Sequence, residues 1–299
     1  MFMKPIDTLG FIGLGVMGEP MCGNLLAKSG RPVYGTDIKR APVERLATRG
    51  LKPCANIAEA AAGADVIFLS LPSGREVEEV CLGAGGIAES GGRVHTVVDM
   101  STSPPKLMRE LAEKLAARGL AFLDAPVART RQAARDGTLS IMVGGPAEAC
   151  EALRAYFSCM GTEVNPCGGH GAGQVVKILN NMVLFMTGQA LAEALTIARR
   201  AGVDGKLLFE VMSKGSSDSF ALRNHGLKAM VPGAFPEDAF PVDYAIKDIS
   251  LALDLAAQGG VTAQGARTAC ELLQAANRAG FRAEYWPVVV KILEGANSE

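Results

Sequence analysis

The sequence predicts an α/β fold in two parts: a mainly parallel, doubly wound sheet followed by an all-α domain. Three observations carry the prediction. A glycine-spaced loop, Gly13-Leu14-Gly15-Val16-Met17-Gly18, stands between an apolar run and a helical pattern. Short β-type runs then alternate with helical patterns through the first half of the chain. Beyond the breaker cluster Cys167-Gly168-Gly169-His170-Gly171-Ala172-Gly173 the β-type runs nearly vanish and long helical patterns take over.

Taken in order, Leu9–Ile12 reads as the first strand and Met17–Lys28 as the first helix, stopping at Gly30. A second strand, Val33–Thr36, ends on Asp37, nineteen residues after Gly18. This is the βαβ unit of a Rossmann-type dinucleotide-binding fold. Gly13 permits the tight turn, Gly15 lets the backbone approach a pyrophosphate, and Gly18 lets helix and strand pack closely. The helix N-terminus supplies unpaired N–H groups and a positive dipole end. NAD or NADP is the cofactor these features predict. Further β-type runs at Val66–Leu71, Val94–Asp99, Ala121–Ala125 and Ser140–Gly144 are interleaved with helical patterns at Val43–Arg49, Ile57–Ala61, Arg75–Val80 and Pro105–Ala117. Ligands bind such sheets at the carboxyl ends of the strands. The functional positions are therefore expected at Gly13, Asp37, Leu71-Pro72, Ser101-Thr102 and from Pro126 onward. Helical patterns at Gln174–Ala201, Gly205–Ser213, Tyr244–Gln258 and Thr262–Ala279 fill the second half. The boundary is placed after Gly168: residues 1–168 form the cofactor domain, and residues 169–299 an all-helical substrate and dimerisation domain. The helix starting near Gln174 spans the junction.

The chain has 299 residues, 48% hydrophobic and 20% charged, which suits two domains with sizeable cores. A net charge of −1 gives no electrostatic case for nucleic acid or an anionic membrane. Seven cysteines without a C-x-x-C pair read as scattered reduced thiols of a cytoplasmic protein. His95, His170 and His225 lack ligand spacing, so no metal site is expected. No signal peptide is expected, since no basic segment followed by an apolar one precedes the first strand. No run reaches about 18 apolar residues, so no membrane span is expected. The most apolar helix, around Asn181–Ala198, is broken by Thr187, Gln189 and Glu193 and reads as a buried core helix.

The catalytic candidate is Lys177. On a helix it shares one face with Asn180 and Asn181, at i+3 and i+4. Val175, Val176, Ile178 and Leu179 around it are apolar. Partial desolvation would lower the lysine pKa toward neutrality, which suits proton exchange with a carbonyl or alcohol oxygen. Asn181 would hold the ammonium or the substrate hydroxyl. On spacing alone, a lone helical lysine is more often a solvated or snorkelling residue.

Several segments together resemble the β-hydroxyacid dehydrogenase family, which includes 3-hydroxyisobutyrate dehydrogenases and tartronate semialdehyde reductases. Gly10 to Gly18 looks like the family's cofactor loop, and Asp99-Met100-Ser101-Thr102-Ser103 like its DxS[ST] strand exit. Asp124-Ala125-Pro126-Val127, Gly137-Thr138-Leu139 and Met142-Val143-Gly144-Gly145 resemble its substrate segment. Gly171 to Asn181 is similar to the GxGxxxKxxxN motif, and Lys247-Asp248 with Leu251-Ala252 to the late KDxxLA motif. The resemblance implies Lys177 as catalytic acid/base with Asn181 beside it. It places Val16, Met17, Leu71, Thr102 and Lys247 at the cofactor, with Leu14 and Pro72 at the same exits. Ser101, Ala128, Arg129, Thr130 and Asn180 are assigned to the substrate. Asp37 accepts hydrogen bonds from ribose hydroxyls and repels a 2′-phosphate. Family members preferring NADP look like Asn-Arg-Ser/Thr there, so Asp37-Ile38-Lys39-Arg40 favours NAD, with Lys39 and Arg40 able to tolerate a phosphate.

One departure bears on the substrate. The family usually has Ser-Gly-Gly where this chain has Ala128-Arg129-Thr130. Arg129 brings a planar fork of donors suited to an oxyanion, a pattern that looks like the sulfolactaldehyde reductase branch. The expected activity is interconversion of a small 3-hydroxy acid, or a sulfonate or semialdehyde analogue, with its aldehyde or ketone. Arg129 would be the anion anchor and the assembly a homodimer or homotetramer. Arg129 could equally join Arg131 and Arg135 in a solvated basic stretch. The polar segment Gly215–His225 reads as a plain connection, with closure over substrate as the alternative. A non-catalytic dinucleotide sensor and an imine reductase are the rival functions. Lys177 and Asn181 argue against the first. Imine reductases generally lack the lysine.

Overall fold

Leu9–Ile12 forms strand β1, buried at every residue, and the order of the sheet reverses beside it. The computed structural model describes residues 5–237 and 239–295. The other strands are β2 (Val33–Thr36), β3 (Lys52–Pro53), β4 (Val66–Leu69), β5 (Thr96–Asp99), β6 (Ala121–Asp124), β7 (Val127–Ala128), β8 (Leu139–Gly144) and β9 (Gly161–Gly168). Their order is β3-β2-β1-β4-β5-β6-β8-β7, with β9 paired to β8. From β3 to β6 all pairs are parallel; β8 runs antiparallel to β6 and β7.

Register sets the functional edge. Ile12 pairs with Thr36 and Leu69, Leu69 with Asp99, and Asp99 with Asp124. The residues that follow these five strand ends therefore leave the sheet on one edge. Parallel strands buried on both faces need helices on each side. These are α1 (Gly18–Lys28), α2 (Arg40–Ala47), α3 (Ile57–Gly63), α4 (Gly74–Leu82), α5 (Ile87–Ser90), α6 (Pro105–Ala116), α7 (Arg131–Asp136) and α8 (Ala147–Met160). Phe68 joins strand to helix in the core, stacked on Phe11 and edge-on to Phe157. Strands β3, β7 and β9 and helices α5, α7 and α8 add to the elements the sequence pattern predicts. β9 exposes Glu163, Asn165 and Pro166, the composition of a protected edge strand.

By internal contacts the chain divides between Lys177 and Ile178, inside the 29-residue helix α9 (Ala172–Arg200). The second unit holds the rest of α9, α10 (Gly205–Met212), α11 (Val242–Gln258), α12 (Gln264–Ala276) and α13 (Val289–Glu294). Its core gathers Phe185, Leu195, Phe209, Ile249, Leu273 and Trp286. Among the described residues of this unit, β-structure is confined to one bridge, Pro241 to Tyr285. The segment Gly215–His225 is only partly a connection. A π-helical stretch starts at Leu222, runs to Met230, and buries His225.

Helix α9 departs from the expected buried core helix. Phe185, Leu191, Ala192 and Leu195 are buried. On its other face Val176, Leu179, Val183 and Ile197 are 42%, 39%, 56% and 67% exposed. By length and composition alone α9 is long and apolar enough to cross a membrane, although Gln189 and Glu193 interrupt it. All seven cysteines are free, and six are buried.

Candidate active site

Gly13 leaves β1 at φ +90°, where an added Cβ would stand 2.3 Å from the carbonyl oxygen of Ser70. A Cβ at Gly18 would stand 1.9 Å from the oxygen of Gly13. Packing within the protein thus demands both glycines. Gly15 is different: its Cβ position meets no neighbouring group within 4 Å. No side chain caps the start of α1, and Val16 there is 55% exposed. Across the exit of β2, Asp37 Oδ2 accepts from the backbone N–H of Leu14 at 2.6 Å, and Oδ1 from that of Lys39 at 2.7 Å. These residues fit a dinucleotide. The open side of Gly15 and the uncapped helix start suit a pyrophosphate. Each oxygen of Asp37 also keeps a lone pair for a ribose hydroxyl. Ile38, fully exposed beside Asp37, is an apolar neighbour the motif reading did not single out.

The β4 and β5 exits close on this loop. The backbone N–H of Leu71 donates to Ser101 Oγ at 2.8 Å, and Leu71 Cδ2 lies 2.9 Å from where a Gly13 Cβ would be. Ser101 is buried, Thr102 half-buried and Pro72 exposed. Asp99 holds the turn: Oδ1 accepts from the N–H of Ser101 at 2.9 Å, and Oδ2 from Ser103 Oγ at 3.3 Å. Burial pushes the Asp99 carboxyl up to about 6, with the charge of Asp124 adding to the shift. Burial also raises Asp124, against the N–H groups of Gly171 and Gln174 that favour its anion.

Those N–H groups belong to the start of the lysine helix. Asp124 Oδ1 accepts from Gly171 at 2.7 Å, and Oδ2 from Gln174 at 3.0 Å. The side chain of Gln174 donates to the Ser101 carbonyl at 2.8 Å and accepts from the N–H of Ser103 at 3.0 Å. Lys177, three residues on, is only 9% exposed. Motif reading includes Asp99 and Asp124 only as letters of larger patterns, and Gln174 not at all as a functional group.

One turn beyond Lys177, Asn181 is 2% exposed and donates through Nδ2 to Asp248 Oδ2 at 2.7 Å. Asn180 is exposed and donates to Asn181 Oδ1 at 3.1 Å. Asp248 is buried, and Lys247 Nζ stands 3.4 Å from its Oδ1. Sequence spacing does not pair Asn181 with Asp248; the structure joins them.

Ala128, Arg129 and Thr130 form the exit of β7. Ala128 is buried, and the Thr130 hydroxyl caps α7 by accepting from the N–H of Ala133 at 3.3 Å. Arg129 has φ +89°, and no other described non-glycine residue has positive φ. Its Nη1 donates to the Thr138 carbonyl at 2.6 Å and to Thr162 Oγ1 at 3.1 Å. Both contacts fall on one nitrogen, which leaves the Nε–Nη2 edge out of them. The guanidinium is exposed and therefore outside the buried hydrogen-bond network around Asp124.

Residues 8–169 match the NAD binding domain of 6-phosphogluconate dehydrogenase. Residues 171–292 match the domain described as NAD-binding of NADP-dependent 3-hydroxyisobutyrate dehydrogenase. The 2-(hydroxymethyl)glutarate dehydrogenase of Eubacterium barkeri is 35% identical over 98% of this chain and 96% of its own length. The 3-sulfolactaldehyde reductase of Escherichia coli is 33% identical over 95% of each. A solved structure of Mycobacterium tuberculosis 3-hydroxyisobutyrate dehydrogenase with L-serine superposes with TM-score 0.84 at 30% identity, covering 97% of this chain and 99% of that one. The class is an NAD(P)-dependent oxidoreductase of small hydroxy acids. Within it, the chain belongs to the β-hydroxyacid dehydrogenase family.

Proposed function

We propose that this enzyme, preferring NAD over NADP, interconverts a small 3-hydroxy acid, or a sulfonate or semialdehyde analogue with an anion away from the reacting carbon, with its aldehyde or ketone. A bound nicotinamide dinucleotide supplies or accepts the hydride. Lys177 gives a proton to the carbonyl oxygen during reduction and takes it from the hydroxyl during oxidation. Asn181, oriented by Asp248, positions the ammonium and the reacting oxygen, with Asn180 adding a donor. Ser101 and Thr102 place the substrate against the cofactor side. Arg129 takes the distal carboxylate or sulfonate on its Nε–Nη2 edge. The relatives named for 2-(hydroxymethyl)glutarate and 3-sulfolactaldehyde support an anion away from the reacting carbon, a carboxylate in the first name and a sulfonate in the second. Asp37 selects NAD, and Lys247 contributes to holding the cofactor.

The observation that carries the reading is the burial of Lys177 on a helix whose first turn is tied to the exits of β5 and β6. The test is NADH oxidation at neutral pH with sulfolactaldehyde, succinic semialdehyde, methylmalonate semialdehyde and tartronate semialdehyde. Wild type, Lys177→Ala and Arg129→Ala are compared. The expected result is loss of turnover by about two to four orders of magnitude in Lys177→Ala. In Arg129→Ala the KM should rise for the acid-bearing aldehyde that wild type reduces. Equal turnover in Lys177→Ala would overturn the mechanism.

The exposed stripe of Val176, Leu179, Val183 and Ile197 on α9 is proposed to pair with a second copy of the chain. A self-complementary apolar stripe is what a two-fold interface needs. Sedimentation of Ile197→Glu, expected to shift toward monomer, tests the homodimer. Free, mostly buried thiols suit a cytoplasmic setting.

A further inference from the structure

Asp124 is the last residue of β6 and fully buried. A buried carboxylate is expensive unless its oxygens are satisfied. Here both are used on backbone N–H groups of a single segment, Gly171 and Gln174, at 2.7 and 3.0 Å. That segment begins α9. A carboxylate at a helix N-terminus satisfies orphan donors and complements the dipole. It also fixes where the helix starts.

The glycines around it show how tightly the fit is drawn. A Cβ at Gly144 would stand 2.5 Å from Asp124 Oδ1. A Cβ at Gly173 would stand 2.3 Å from the carbonyl oxygen of Met142 and 2.8 Å from Asp124 Oδ2. Gly171 has φ +84°, and a Cβ there would stand 2.6 Å from the carbonyl oxygen of Pro105. The helix start is thus wedged between β8, the end of β6 and the start of α6. Gln174, also fully buried, adds the tie to the backbone of Ser101 and Ser103. Lys177 follows Gln174 by three residues, within one turn. Its Cα has little freedom to rotate about, or slide along, the helix axis while these contacts hold.

With Lys177 as the proton donor proposed above, we infer that Asp124 is a positioning residue of the reaction: its carboxylate locks the first turn of α9 so that Lys177 is presented in register with the β5 exit. Asp124 touches neither substrate nor cofactor. Its effect on rate passes through Lys177. In Asp124→Asn one oxygen becomes an NH2 group and meets a backbone N–H donor, so one of the two fastenings is lost and the first turn shifts. Misplacement of a reacting group by about 1 Å can cost on the order of a hundredfold in rate.

The experiment is a kinetic double-mutant cycle of Asp124→Asn and Lys177→Ala. The same semialdehyde is used throughout, and rates are normalised to the NADH-binding fraction measured by nucleotide fluorescence. Asp124→Asn is expected to lower kcat by roughly tenfold to a hundredfold, with KM for NADH within about twofold of wild type. In the Lys177→Ala background the same substitution is expected to change the residual rate by less than about twofold, because there is no ammonium left to misplace. Equal fold-losses in both backgrounds would make Asp124 a general structural residue and overturn the inference. An unchanged kcat in Asp124→Asn with Lys177→Ala inactive would overturn it while leaving the lysine mechanism standing. Full turnover in Lys177→Ala would instead remove the lysine mechanism, and the positioning role with it. If Asp124→Asn does not fold, Gln174→Met breaks the other half of the lock, and the same two-background comparison decides.

Discussion

Asn181 donates a hydrogen bond to the carboxylate of Asp248 at 2.7 Å, across 67 residues of sequence. Both side chains are nearly excluded from solvent. A carboxylate only accepts, so the contact fixes which way the amide faces: Nδ2 toward Asp248, Oδ1 toward Asn180. The polar face one turn beyond Lys177 therefore has a single orientation. Asp248→Ala is expected to release that amide. A hydrogen bond to a charged group is worth about 1.5–3 kcal/mol, so kcat/KM should fall by roughly tenfold to a hundredfold. Steady-state kinetics in both directions check it. A kcat/KM within twofold of wild type would mean that Asn181 is held by other contacts.

Arg129 stands at φ +89° with only its Nη1 engaged. A non-glycine residue held there stores on the order of 1–3 kcal/mol, and strain of that kind persists where something else requires the side chain. Arg129→Gly should relieve it. The expected outcome is a variant about 1 kcal/mol more stable to urea whose KM for the acid-bearing substrate is much higher than wild type. Unfolding curves and kinetics on one preparation test the two halves together. A variant that is less stable, with unchanged KM, would place Arg129 in the architecture of β7 instead of at a substrate.

What the sequence makes legible follows from periodicity. Leu9–Ile12 and Val66–Leu69 are buried on both faces, so they stand out as apolar runs. Lys177 and Asn181 are visible as a pair because i and i+4 share a helix face. β9 leaves no such trace, since a single partly buried Val164 among the exposed Thr162, Glu163, Asn165 and Pro166 makes no apolar run or alternation. Asp124, Gln174 and Asp248 are hidden for another reason. Their partners lie 47 to 73 residues away, and contacts between elements so distant in sequence impose no local spacing. Arg129 is visible as a departure from a glycine pattern, but its bonds to Thr138 and Thr162 are not. The exposed side of α9 escapes notice because composition registers apolar residues and not which side they face.

Asp37, proposed above to select the cofactor, is held by the N–H groups of Leu14 and Lys39, which take one lone pair on each of its oxygens. Asp37→Ser is expected to weaken NADH binding by about 1.5–3 kcal/mol, roughly tenfold to a hundredfold. NADPH binding should improve or stay level, since the repulsion of a 2′-phosphate is gone and Lys39 and Arg40 remain. Fluorescence titration with both nucleotides measures the ratio. Parallel losses for the two would show that Asp37 matters only as the anchor of Leu14.

His225 gives the second unit a pH dependence of definite sign. Its Nδ1 meets the Tyr285 hydroxyl, Nε2 has no hydrogen-bond partner among the described residues, and the rings of Phe220, Tyr285 and Trp286 surround it. Burial, with the nearby charge of Lys228, pushes its pKa down from the ordinary 6.5 to about 4. The folded state therefore binds this proton less readily than the unfolded chain. The stabilising contribution is complete above pH 6.5 and is lost as pH falls through 4, by up to about 3 kcal/mol. Asp99 works in the opposite sense in the first unit. Its pKa is raised from 3.8 to about 6, so its contribution is present below pH 3.8 and lost as pH rises through 6. The chain's single tryptophan, Trp286, has its ring centroid 5.1 Å from that of His225, so its fluorescence reports the second unit. Urea midpoints followed by that signal should fall steadily between pH 6.5 and 4 in wild type. In His225→Phe they should lose most of that slope. A variant whose midpoint falls in parallel with wild type would show that other groups of the second unit take up the protons.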